Sequence, residues 1–364
     1  MIPAAYAVLN MAAVSHNLQK VRDCAPHAKI MAVIKANAYG HGALRLAHAL
    51  ADEVDGFAVA RVDEGIRLRK AGVQKRIAVL EGFTCADELD ELLTHGLDAV
   101  VHSWPQLAIF EARTEQQKIA VWLKFDTGMN RLGFKAADLQ AVYARLMACS
   151  IVKQPINIMT HLANADDKTD AMTGKQLALF NDTLAGLKPD AGSERSIANS
   201  AGILAWPQAI TDWVRPGIML YGISPFAEAT GAELGLKPIM SLHSRLIAVK
   251  PIAKGDTVGY GGSWLCEQES ILGVVAIGYA DGYPRYARVG TPVLVNGQRV
   301  SLIGRVSMDM ITVDLGSQST AKAGDAVTLW GDGLPVEEIA LCANTIPYTL
   351  VCGVTQRVRQ IEAG

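Results

Sequence analysis

Over its first 220 residues the chain alternates short apolar runs with amphipathic stretches, and this alternation restricts the fold more than any other feature. The runs lie at 30–34 (IMAVI), 56–60 (GFAVA), 77–80 (IAVL), 98–101 (DAVV), 119–125 (IAVWLKF), 156–160 (INIMT), 195–198 (RSIA) and 217–221 (GIMLY). Between them, stretches such as GALRLAHALAD, ADELDELLTHG and AADLQAVYARLMA space apolar residues by three and four, as a helix with one buried face does. Strand, helix, strand, repeated, predicts parallel strands joined by right-handed crossovers. Eight near-continuous apolar strands predict an α/β fold with a closed, TIM-like (β/α)8 barrel over 8–232. An open doubly wound sheet is the alternative.

After about residue 235 the texture changes. SLHSRLIAVKPI, ILGVVAIGYA, TPVLVNGQRVSLIG, MDMITVDL and AVTLWG read as strands without intervening helices, and one short helix, VEEIALCANT, comes late. Asn296-Gly297 between two apolar runs signals a hairpin. Residues 233–364 are therefore expected to form a mainly antiparallel β domain. The alternating segment AYAVLN places the N-terminal strand, 1–7, with that domain.

Bulk properties exclude several classes. A net charge of −2 gives no electrostatic case for nucleic acid or an anionic membrane surface. No run approaches the ~20 apolar residues that span a bilayer, and MIPAAYAVLNMAAVSHN lacks the pattern of a secretory signal. Six scattered cysteines, with no C-x-x-C pair and no zinc spacing, suit a reducing compartment. The expectation is a soluble, cytoplasmic protein.

In a parallel barrel, catalytic groups gather at the C-terminal ends of the strands. The first strand ends in Lys35, with Tyr39 four residues on; the fifth leads into LKFDTGMNRLG, with Lys124 and Arg131; the sixth ends at Thr160-His161; the seventh leads to Asn199-Ser200; Arg215-Pro216-Gly217 introduces the eighth. This rim offers no second histidine at metal-ligating spacing, no G-x-S-x-G and no G-x-G-x-x-G, so no metal is expected. A lysine in a low-dielectric site suits Schiff-base chemistry. Ser200 and the amides of Gly217 and Ile218 follow strands seven and eight, where barrels bind phosphate. An aldehyde carrying a phosphate, pyridoxal 5′-phosphate, fits both features.

The motif V-I-K-A-N-A-Y-G-H-G resembles the cofactor-attachment motif of the alanine racemases, fold-type III pyridoxal-phosphate enzymes. T-G-M-N-R-L-G (127–133), N-S-A (199–201), R-P-G (215–217), V-G-Y-G-G (258–262), G-Y-A-D-G-Y-P-R (278–285) and S-M-D-M (307–310) follow in the family's order across both expected domains. The resemblance implies a homodimer with shared active sites that interconverts L- and D-alanine. It implies that Lys35 carries the cofactor as a Schiff base, and that Tyr39, Ser200, Gly217, Ile218 and Tyr348 hold its phosphate, beside Asn199. Arg215 would face the pyridine nitrogen and, since guanidinium keeps its own proton, leave that nitrogen unprotonated. His161 would pair with Arg215 as a relay. Lys35 and Tyr260, the latter from the partner chain, would be bases on opposite faces of the substrate. Arg131 and the backbone N–H of the partner's Met308 would grip the carboxylate. Tyr279 would sit at the substrate entrance, and Asp309 would buttress the pocket or hold a hairpin. Lys124 would be carbamylated, or else be a barrel lysine paired with Asp126. His41 is expected to cap a helix.

Three rival readings compete with this one. An amino-acid decarboxylase of the same fold type would set an acid, not R-P-G, against the pyridine nitrogen. A non-catalytic cofactor-binding barrel would lack residues 236–364. A racemase of broader specificity shares every motif named above.

Overall fold

The structure, a computed structural model, describes residues 4–114 and 116–363. Eight parallel strands close a barrel in chain order: β2 (Lys29–Val33), β3 (Gly56–Val59), β4 (Arg76–Val79), β5 (Asp98–Val101), β6 (Ile119–Lys124), β7 (Val152–Met159), β8 (Arg195–Ser196) and β9 (Trp213–Val214). Closure comes from β2 against β9, with Lys29 opposite Trp213 and Ile30 opposite Val214. Strands such as GFAV and DAVV are buried at every residue, because side chains fill the interior on one side and helices cover the other.

The eighth strand differs from the expected one. Residues 217–221 do not extend the sheet; Ile218–Tyr221 form a 3₁₀ turn, and the strand is Trp213–Val214. The amides of Gly217 and Met219 turn toward the Ser200 hydroxyl at 2.9 and 3.3 Å instead of joining a ladder. Arg215 therefore follows its strand and sits at the C-terminal end. A helix at Ala12–Cys24, absent from the pattern reading, buries Ala13, Val14, Leu18 and Val21 at helical spacing.

The second unit is an eight-stranded sheet built around one long strand, β10 (Met240–Ile252). It contains β1 (Tyr6–Asn10), β10 (Met240–Ile252), β13 (Ser270–Val275), β14 (Pro292–Val295), β15 (Gln298–Ile303), β16 (Ile311–Asp314), β17 (Ala326–Trp330) and β18 (Arg359–Ala363), beside a small β11 (Thr257–Val258) and β12 (Trp264–Leu265) hairpin. Strand order is β13-β16-β15-β14-β17-β10-β1-β18, and β10 also pairs with β13. All neighbours are antiparallel except β1 and β18. Asn296 and Gly297 both take positive φ, 50° and 78°, as the β14–β15 hairpin turn requires.

The N-terminal strand runs past residue 7, and the chain divides after Leu220 instead of at 232. Residues 221–239 are tied within the second unit: Ser224 N and Gly231 N donate to Glu337, Lys237 N to Asn17 Oδ1, and Ile239 N to Tyr221 O. A further helix at Pro347–Gly353 was not foreseen. Among the described residues no helix is long and apolar enough to cross a membrane.

At the N-terminal end of the barrel, charge and aromatic surface form a plug. Arg76 pairs with Asp98 and lies over the rings of Trp122 and Trp213, at 5.1 and 5.5 Å from their centroids. Trp122 Nε1 donates to Asp98 at 3.1 Å and Trp213 Nε1 to Glu194 at 2.6 Å; Lys29 completes the set against Glu194. Burial pushes the Asp98 carboxyl up, and Arg76 opposes it. Removing one partner of a buried pair leaves the other uncompensated. Arg76→Met should therefore destabilise the barrel by about 3 kcal/mol, read as a lowered urea midpoint. Turnover per folded molecule should stay unchanged, since this face is opposite the candidate site.

Candidate active site

Lys35 follows β2 at the C-terminal end of the barrel, where the backbone does something unusual. Ala36, Asn37, Ala38 and Tyr39 take φ of 51°, 53°, 53° and 52°, a left-handed turn made without glycine. Such residues cost about 1–2 kcal/mol each in this conformation, so the turn needs support. Ala38 N donates to Ile34 O, Gly42 N to Asn37 O, and Ala43 N to Asn37 Oδ1, each at 2.9 Å. Ala36 N donates to Glu64 Oε1 at 2.7 Å. At Gly40 (φ 83°) a Cβ would lie 2.2 Å from Val351 O, so the Y-G-H-G segment needs glycine there. His41 caps no helix; it is buried, with Nδ1 2.9 Å from Tyr39 O.

Lys124 ends β6, and the loop after it is organised by Asp126. That carboxylate accepts from Gly128 N and Asn130 N at 3.0 Å and from Lys135 Nζ at 2.6 Å. Burial raises its pKa, but Lys135 and the two amides outweigh this and hold it below the usual range. Asp126 is thus committed to Lys135, and no ion pair joins it to Lys124. Phe134 N donates to Lys124 O and Asp126 N to Phe134 O, closing the loop that carries Arg131.

Arg215 is buried and held from several sides. Its Nη1 donates to Ser196 Oγ at 2.5 Å, and its Nη2 to Thr160 O at 2.6 Å and Ile197 O at 3.1 Å. Nη2 also lies 3.3 Å from His161 Nδ1. Guanidinium can only donate, so Nδ1 is the acceptor and a neutral ring carries its proton on Nε2. Burial, then the charges of Lys124, Arg215, Arg131 and Lys35, lower the His161 pKa well below its ordinary value. Burial lowers that of Arg215 to about 10, which leaves it charged at neutral pH. Asn199 accepts from Gly202 N at 2.9 Å and caps the Ser200–Ala205 helix, placing Ser200 beside the Gly217 and Met219 amides. Buried Gln176 donates to Thr127 Oγ1 and His161 O and accepts from Ala163 N, tying together the segments after β6 and β7.

Lys124 shows the character of this mouth most clearly. Burial, then Arg215, Arg131 and Lys35, lower its pKa to about 7, against a smaller opposing effect of Asp126. The structure thus brings Lys35, Lys124, Arg131, His161 and Arg215 within charge range of one another, and on the same unit sets Asn199, Ser200 and Gly217, with Ile218 next in the chain, in a second group. Pattern reading missed Ser196, Gln176 and Glu64. Only Glu64 left a trace, as an acid in the third position of a helix after an apolar run.

The remaining predicted residues belong to the second unit. The Tyr39 ring lies 4.8 Å from that of Tyr221 and 5.9 Å from that of Tyr348. Burial, then Tyr348, raises the Tyr39 pKa, so its hydroxyl stays a donor. Tyr260, Tyr279 and Met308 are exposed. Asp309 accepts from Arg357 at 2.8 Å.

The sequence model for the alanine racemase N-terminal domain matches residues 9–225, and that for the alanine racemase C-terminal domain matches 239–362. The chain is 51% identical over 356 residues to an alanine racemase of Shigella dysenteriae and to the biosynthetic alanine racemase of Escherichia coli K12, covering 98% of both chains in each case. Its fold matches the crystal structure of biosynthetic alanine racemase from Pseudomonas aeruginosa with a TM-score of 0.95 at 45% identity, over 100% of both chains. An alanine racemase from Bartonella henselae, solved with covalently bound pyridoxal phosphate, matches at 0.89 and 30% identity over 100% of both chains. These relatives, racemases over the whole length of both units, place the chain among the isomerases. The chain belongs to the alanine racemase family.

The depressed Lys124 pKa has a stability consequence. The unfolded chain binds a proton at Lys124 up to about 10.5 and the folded chain only to about 7. The unfolded state therefore holds more protons in that window, and stability rises with pH through it. Lys124→Met should stabilise the bicarbonate-free protein most below pH 7, with the gain vanishing toward pH 10.5. Paired urea titrations across pH check this.

Proposed function

We propose that this protein interconverts L- and D-alanine with pyridoxal 5′-phosphate bound at Lys35, as the family name implies. The observation that carries this reading is the cationic mouth. Lys35, Lys124, Arg131 and Arg215 converge with a neutral His161, and Asp126, the carboxylate that acts on Lys124, is directed at Lys135. Such a site calls for an anionic guest with a carbonyl carbon for the lysine. The donors of the barrel unit fit this cofactor: the Ser200 hydroxyl and the Gly217 and Ile218 backbone for a phosphate, and a fixed guanidinium for a ring nitrogen; the family resemblance assigns Tyr39 and Tyr348 to the same phosphate.

When bound, the cofactor supplies an electron-withdrawing ring that makes the substrate Cα–H acidic. Arg215 cannot give up its proton at neutral pH, so it accommodates an unprotonated ring nitrogen and keeps that withdrawal moderate. That arrangement would favour return of the proton to Cα over side reactions. Lys35 Nζ holds or delivers the Cα proton on one face. Tyr260 Oη, from a second copy of the chain, does so on the other. His161 and Arg215 complete the relay for that phenol, whose exposure on the second unit suits docking into a partner's site. Arg131 and the Met308 amide of the second copy bind the substrate carboxylate. Tyr279 lines the approach, and Asp309, held by Arg357, keeps the Met308 segment in place.

A carbamate on Lys124 belongs to the same reading. An amine with a pKa near 7 is partly neutral and nucleophilic at physiological pH. Its carbamate would face Arg131 and relieve the like-charge crowding. The shared site makes the working form a homodimer. All six cysteines are free, the state that a cytoplasmic location maintains.

Purified protein should exchange the Cα proton of alanine and convert either enantiomer to the racemate. Lys35→Ala should abolish this by several orders of magnitude, while full retained activity overturns the assignment. Tyr260→Phe should slow proton abstraction from one enantiomer far more than from the other, measured with Cα-deuterated L- and D-alanine. Equal losses argue against two bases. Isotopically labelled bicarbonate should give an NMR carbamate signal that is lost in Lys124→Ala.

A further inference from the structure

We infer that Glu64 is a positioning residue for Lys35, acting by clamping the left-handed turn that follows it; this rests on the reading of Lys35 as the cofactor's attachment point. Glu64 lies in the first turn of the helix Val62–Lys70. Its Oε1 accepts from Ala36 N at 2.7 Å. Its Oε2 accepts from Ala60 N at 2.7 Å and Arg61 N at 3.2 Å. One carboxylate thus spans two neighbouring strand ends: the residue after Lys35 and the two residues that follow β3.

Ala36 is where the chain leaves the strand. Its φ is 51°, and the next three residues repeat that value within 2°. No residue of the turn is glycine, so each pays a steric cost from its Cβ, and the conformation persists only if the surroundings hold it. Ile34 O and Asn37 support the turn from within the same chain segment, whereas Glu64 ties its first residue to the end of the neighbouring strand β3. Without Glu64 the Lys35 side chain keeps its place in sequence but loses the fixed backbone that holds its amine within charge range of Lys124 and His161.

The chemistry of the clamp is specific. Three N–H donors need two acceptor oxygens. Glutamine offers one carbonyl oxygen and must set its amide nitrogen against a donor. Aspartate is one methylene shorter across the same span. Asp63, the neighbouring acid on that first turn, instead pairs with Arg67 at 2.5 Å and makes no bond to the turn. It serves as the control for general loss of charge at the helix start.

The test compares holoenzyme of wild type, Glu64→Ala, Glu64→Gln and Asp63→Ala. Hydrogen exchange of peptides covering 35–42 reads the clamp; cofactor dissociation and borohydride trapping at Lys35 read its effect. Glu64→Ala should exchange at least tenfold faster over 35–42 and release cofactor at least tenfold faster. It should also lower kcat more than it changes KM. Glu64→Gln should fall between Glu64→Ala and wild type, and Asp63→Ala should match wild type. Unchanged exchange and cofactor release in Glu64→Ala overturn the inference. So do equal losses in Asp63→Ala, or global unfolding of both Glu64 variants, which marks a purely structural role. Failure to trap cofactor at Lys35 in wild type overturns the underlying reading of Lys35 instead.

Discussion

Bringing Lys35, Lys124, Arg131 and Arg215 to one barrel mouth is electrostatically unfavourable, and the rest of the site is arranged around that fact. Each cation depresses its neighbours: Lys124 to about 7 and His161 well below its ordinary value, with burial the largest cause in both. A nearby carboxylate could neutralise the cluster, yet Asp126 is spent on Lys135 and two backbone amides. The mouth is thereby left cationic, and an anionic guest would relieve its repulsion.

Holding that cluster demands rigid supports, and these are mostly neutral. Arg215 rests on a serine hydroxyl and two carbonyl oxygens. Gln176, fully buried, fixes the backbone of His161 and the hydroxyl of Thr127. Neutral acceptors orient a cation without cancelling its charge, whereas carboxylates would do both. Glu64, next to the Lys35 turn, is likewise committed to backbone amides. Charge is instead balanced at the opposite end of the barrel, where Arg76, Asp98, Lys29 and Glu194 close the floor. Stability and chemistry thus occupy separate ends of one strand set.

Much of this was legible in the chain alone. Period-two and period-3.6 patterning identified the barrel strands through β8 and the change to antiparallel sheet, because burial on one or two faces leaves a direct imprint on sequence. Lys35, Lys124, His161, Ser200 and Arg215 could be found because strand ends are where polar residues interrupt apolar runs. GIMLY misled as an eighth strand because apolar content cannot distinguish a buried 3₁₀ turn from a buried strand. The decision lay in two amides that bond to Ser200, which is distant in sequence. The helix Ala12–Cys24 was hidden by its many polar residues.

What the sequence determined by itself was the fold class, the family motifs and which polar groups stand at the strand ends, since these depend on local periodicity and residue chemistry. Tertiary structure decided their states. The tautomer of His161, the lowered pKa of Lys124, the commitment of Asp126 to Lys135 and the hold of Glu64 on the turn after Lys35 depend on distances between segments far apart in the chain. Solvation and hydrogen bonding are set by three-dimensional neighbours, and no spacing within MAVIKANAYGHG could have specified them.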